Sequence, residues 1–218
     1  MFLKKIGIVY TIVAIAIISG MLASCQQEEL LYSCDPEIND WVTGNKDDYS
    51  NISRDELVKF AYDKQSALWV SFLPAQKAKI YQSKYKYLME LNNLSEKEKE
   101  YLTDLYRQIT PTLYSSDKEG KKLTEFYEKW KNEVMDKFGW ENIDVYFYAE
   151  TWFTYDEFWK WVEFKKSPSV KTGKELNCDC ISSAGCIGRG LCDTNNKCKA
   201  GKKKCGAASN EDCTGLCD

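Results

Sequence analysis

Residues Asp117–Phe138 read DKEGKKLTEFYEKWKNEVMDKF. Leu123, Phe126, Tyr127, Trp130, Val134 and Phe138 recur there at steps of three and four, the period of an amphipathic helix. Gly139 follows at once, the residue best able to turn left-handed and stop a helix. The same period appears upstream. Ser53 and Glu56 have the spacing of a capping box, with Leu57, Phe60, Ala61 and Leu68 after them. Beyond Leu73–Pro74, a second stripe contains Ile80, Tyr81, Tyr85, Leu88 and Leu91. Ser95 and Glu98 repeat the capping-box spacing, and Tyr101, Leu102, Leu105, Tyr106 and Ile109 form a third stripe that Thr110–Pro111 ends. A last helix is expected from Thr154 to about Lys165. The fold class expected is mainly α, with a compact domain of about five helices over residues 51–166. The starts LPAQKAK at Leu73 and LSEKEKE at Leu94 form a weak internal repeat, too short for a solenoid.

Within the domain, Trp140 to Phe164 holds 11 aromatic residues in 25 positions. A buried face built on Phe158, Trp161 and Val162 accounts for many of them. Rings in excess of one helix face point to some exposed aromatic surface, with Trp152, Phe153 and Trp159 as candidate partner-binding residues.

Composition narrows the chemistry. The 218 residues carry a formal net charge of −3 and no histidine. General acid–base work and nucleophile activation most often rely on histidine, so no enzyme is expected. Asp156–Glu157 and SEKEKE read as helix starts and solvated faces, and neither a phosphate loop nor G-x-S-x-G is present. No cofactor or metal is expected, and no basic face suits nucleic acid.

The N-terminus reads as an export signal over residues 1–24. Lys4 and Lys5 precede an apolar run from Ile6 to Ile18, shorter than a typical membrane span. Leu22–Cys25, LASC, resembles a bacterial lipobox, which implies lipidation of Cys25. CQQEE from Cys25 resembles the signal that sends lipoproteins of Bacteroidetes-type bacteria to the cell surface. Residues 25–50 then form a lipidated tether with one short helix near Pro36–Val42. The expected location is the outer membrane, surface-exposed, with the membrane reached through acyl chains.

After a linker over residues 167–177, the composition changes. Residues 178–218 carry eight cysteines, Cys178, Cys180, Cys186, Cys192, Cys198, Cys205, Cys213 and Cys217, and no aromatic residue. So short a segment with few large apolar side chains needs staples. Zinc sites usually pair ligands as C-x₂₋₄-C, whereas most gaps here are five to seven residues. A metallothionein-like cluster is the alternative, and the C-x-x-C of thiol oxidoreductases is absent. Disulfides fit best, because exported thiols oxidise and Gly, Asn, Asp and Ser fill the gaps. The expected module is small, disulfide-rich and loop-dominated. Cys34 is left over as a free or intermolecular thiol, or as a competitor for a tail partner.

NCDC at Asn177, Cys205–Gly206 and the cysteine order between them resemble the bacteriocin fulvocin C-related proteins, as does the succession of signal, helical region and cysteine-rich end. The tail departs from that pattern in lacking aromatics and in carrying Lys202, Lys203 and Lys204. The resemblance implies a surface lipoprotein displaying a bacteriocin-like module with antagonistic activity, the lysine triplet meeting anionic membrane. The alternative is a non-toxic surface binding protein that engages another cell's surface or a glycan through residues 140–164.

Overall fold

The two serines predicted to start helices do so. Ser53 Oγ accepts from the Glu56 amide at 3.2 Å, and the Glu56 carboxylate accepts from the Ser53 amide at 2.7 Å. Ser95 and Glu98 repeat the exchange at 3.3 and 2.7 Å. Each cap satisfies amides that a helix start leaves unpaired, an effect of about 1 kcal/mol.

The computed structural model describes residues 32–33, 35–166, 192–193, 205, 207–211 and 216–217. Among these, the helices are α1 Pro36–Asn45, α2 Arg54–Leu57, α3 Tyr62–Ser71, α4 Pro74–Glu90, α5 Glu96–Arg107, α6 Pro111–Ser115, α7 Asp117–Phe138, α8 Asn142–Val145 and α9 Tyr155–Lys166. A π-helical turn, Tyr146–Glu150, continues directly from α8. The described part is mainly helical, as the period predicted. It is more finely divided than five helices.

The stretch read as one helix from Ser53 to Leu68 breaks between α2 and α3. The Gln65 side chain supplies the reason. Its Nε2 donates to Phe60 O at 2.8 Å, satisfying a carbonyl that the break releases. Phe60 meanwhile packs against Trp41 and Tyr49 at centroid distances of 5.6 and 5.1 Å. The short helix expected near Pro36 is α1, capped by Asp35 and carrying Ile38 and Val42 into the core. The α7 stop is as expected: Gly139 has φ +69° and its amide returns to Met135 O at 3.1 Å.

At the centre lies Trp69 of α3, fully buried. It stacks on Trp152 at 4.9 Å and meets Tyr81 of α4 and Tyr114 of α6 edge-on at 5.5 and 5.9 Å. One ring thus joins α3, α4, α6 and the chain after the π turn. Outside the helices, Cys192–Asp193 and Leu216–Cys217 pair as two short antiparallel strands, β1 and β2, with Cys192 opposite Cys217. Cys205 and Glu211 form an isolated antiparallel bridge.

Replacing Trp69 with Ala is expected to cost about 3–5 kcal/mol in urea unfolding, because it empties the centre of this cluster. Trp159→Ala, on the surface, is expected to stay within about 0.5 kcal/mol of the parent.

Candidate functional site

A lysine sits within the apolar stripe of α4, between Tyr81 and Leu88. Lys84 is fully buried. Its Nζ donates to Phe147 O, to Thr151 O at 2.6 Å and to Tyr148 O at 3.2 Å, and it lies 4.7 Å from the Phe147 ring centroid. Burial pushes the amine well below its usual range, and Arg54 adds to the push. Three carbonyls and the ring face oppose that shift, since they match the three hydrogens of an ammonium. The acceptors are available because the helical run ends at Glu150: its last carbonyls have no partner further along the chain, and Thr151 lies just beyond it.

The same turn ends at Glu150. Tyr127 of α7 donates to Glu150 Oε1 at 2.5 Å. Glu150 keeps partial exposure, yet the surrounding protein pushes its carboxyl up to about 7. Burial is the largest cause, and the carboxylates of Glu211 and Glu128 add to it; Tyr127 and Lys131 act the other way.

Against this turn sits a piece of the cysteine-rich segment. Ala207, Ala208, Ser209 and Asn210 are all buried. The loop is closed at its base by Cys205 N to Glu211 O at 2.9 Å and Glu211 N to Cys205 O at 2.8 Å. Tyr114 donates to Ala208 O at 3.0 Å. A relay holds Ser209: its Oγ lies 2.8 Å from Tyr81 Oη and donates to Glu150 O at 3.3 Å. Thr124 of α7 donates to Glu211 Oε1 at 3.1 Å. Cys205 is buried.

Seating the loop has a cost. Ala208 and Ser209 have φ +51° and +47°, the left-handed region that costs a non-glycine residue about 1–2 kcal/mol. Asn210 Oδ1 is buried without a hydrogen-bond partner among the described residues. Burial of two alanines and the Tyr81, Tyr114 and Thr124 bonds offset these terms. Close approach to α7 depends on Gly120, where a Cβ would stand 2.9 Å from Asn210 Nδ2.

The structure disperses the sequence candidates. Trp152 and Phe153 are buried, stacked among Trp69, Tyr62 and Trp161, so their rings belong to the core rather than to an exposed surface. Trp159 is 37% exposed and stands beside the exposed Tyr155 at 6.1 Å between centroids. A separate open cleft of about 520 Å³ is lined by Arg54, Lys59, Tyr62, Phe153, Glu157 and Lys160. Arg54 is committed there to Glu157 at 2.6 Å and to Asp55. Cys25, Cys34, Cys178, Cys180, Cys186, Cys198, Cys213 and Lys202–Lys204 lie outside the described residues, and Cys192 and Cys217 are described in backbone only. Among the described residues, no helix is long and apolar enough to cross a membrane. No family model, curated protein or solved structure matches the chain.

Sequence reasoning passed over Lys84, Glu150 and the 205–211 loop. Two signals were present. A lysine interrupts an apolar stripe, and GAAS is a small-residue run directly after Cys205.

Gly120→Ala provides a test. Helix propensity alone favours alanine by about 1 kcal/mol. Because the new Cβ would press on Asn210, the full chain is expected to gain nothing and to expose residues 205–211 to protease. A full propensity gain with no loosening would contradict the seating.

Proposed function

We propose that the chain is an exported, lipid-anchored bacterial surface protein that acts by display and binding, its cysteine-rich end retained on the helical domain rather than shed as a toxin. The burial of Ala207–Asn210 between α4, α6, α7 and the π turn carries this reading. A module designed for release would leave such a loop to be extracted from the core. The LASC lipobox and the acidic residues after Cys25 support the anchor. Eight cysteines spaced mostly five to seven residues apart in an exported tail support oxidised staples there. Trp159 and Tyr155, exposed on one face of α9, offer an aromatic contact for a glycan or a protein partner. The absence of histidine supports binding over catalysis.

The resemblance of the cysteine order to the fulvocin C-related proteins favours the second reading, an antagonistic module. The two separate on cleavage. A protease site introduced between Ser167 and Asn177 is expected to yield two fragments that co-elute in native gel filtration. Trp159→Ala with Tyr155→Ala is expected to weaken glycan or cell-surface binding at least tenfold, about 1.4 kcal/mol. Free elution of the C-terminal fragment, combined with growth inhibition by it, would overturn retention in favour of toxicity.

A further inference from the structure

We infer that an open cleft between α4 and α5 binds a free amphiphilic carboxylate of the fatty-acid class, its head group held by two lysines of α4 and its chain laid on the apolar floor beside them. The inference is independent of the docked tail and of the aromatic face on α9, so its failure would leave both standing.

The cleft has a volume of about 570 Å³, inside the range of about 300–1,000 Å³ usual for small-molecule sites. Lys79, Gln82, Ser83 and Lys86 line it at positions i, i+3, i+4 and i+7 of α4, so one helix face carries all four. Each is exposed, and among the described residues none of the four side chains has a hydrogen bond or an ion pair. The two lysines stand two turns apart, about 10 Å along the axis, and their flexible stems let both ammonium groups reach one anion above Gln82 and Ser83. Beside this polar face the floor is apolar. Tyr85, 1% exposed, packs on Tyr106 of α5 with ring centroids 5.5 Å apart. Met89 adds a thioether that adapts to the shape of a chain. Thr103 Oγ1 of α5 donates to Lys99 O at 2.8 Å and stands 3.7 Å from Met89 Sδ, so its hydroxyl shapes the wall.

Charge and shape select the ligand. Among the described residues lining the cleft there is neither a carboxylate nor an arginine, so two cations stand there unneutralised in a chain of net charge −3. A neutral glycan would leave both ammonium groups unmatched. An anion with one apolar tail matches the lysines and the floor together. The ammonium of lysine acts as a point charge and needs no planar partner, which suits a single carboxylate. A bilayer is met by protruding apolar side chains, and the exposed large ones among the described residues, Leu73, Tyr155 and Trp159, all lie outside this cleft. A concave groove takes one free molecule instead.

Calorimetric titration of the full chain with decanoate at neutral pH, below its micelle concentration, tests the site. Saturable one-to-one binding is expected, with the Met89 methyl resonance shifting in step. Decyltrimethylammonium, a similar chain of opposite charge, is expected to bind about tenfold more weakly or less, and acetate undetectably. Lys79→Gln combined with Lys86→Gln is expected to lose roughly tenfold in affinity, and raised ionic strength to weaken the parent more than this variant. Ser83→Trp, which fills the cleft from an exposed position, is expected to abolish binding while thermal unfolding stays unchanged. Absence of decanoate binding, equal binding of the cation, unaltered affinity in either variant, or a Met89 methyl that decanoate leaves unmoved would each overturn the site. Binding to phosphatidylglycerol vesicles without binding of decanoate would assign the cleft to a membrane surface and overturn the free ligand equally.

Discussion

A buried amine must find acceptors, and Lys84 finds them where the helical run ends after the π turn. The Phe147, Tyr148 and Thr151 carbonyls converge on its Nζ because the helical run ends at Glu150 and leaves its last carbonyls without partners along the chain. An unpaired buried polar group costs about 1–3 kcal/mol, so lysine and turn each hold the other in place. Other features hang from that pair. The turn delivers Glu150 to Tyr127 and presents the Glu150 carbonyl to Ser209. It also sets the chain to place Trp152 on Trp69, the ring that joins α3, α4 and α6.

The helices were legible where a local rule sufficed. Capping boxes at Ser53 and Ser95, the stripe of α7 and the left-handed Gly139 depend on residues within a few positions of one another. The break after α2 was not legible, because it depends on Gln65 reaching back to Phe60 and on rings from α1. The aromatic segment was read half correctly. Its period could assign Phe158 and Trp161 to a buried face, but the burial of Trp152 and Phe153 follows from partners far away in sequence. The candidate site was the least legible part. Ser209 meets Tyr81 across 128 positions, and no window of sequence contains both.

The cysteine-rich end therefore has two physical demands on it. Its composition calls for covalent staples, and its GAAS run calls for a surface to bury against. The Cys205–Glu211 backbone bridge fixes the base of a loop whose tip is strained. Fixing the base lowers the ordering entropy lost on seating, which helps so small a contact to persist. Gly120 is the matching concession on α7: a weak helix former early in a strong helix, where a side chain would meet Asn210.

The account stands on that contact. Nuclear Overhauser effects from the Ala207 and Ala208 methyl groups measure it most directly. Cross-peaks to α4, α6 or α7 side chains, with methyl shifts displaced from random-coil values, are the predicted result. Random-coil alanine shifts without cross-peaks to the helical domain would contradict it.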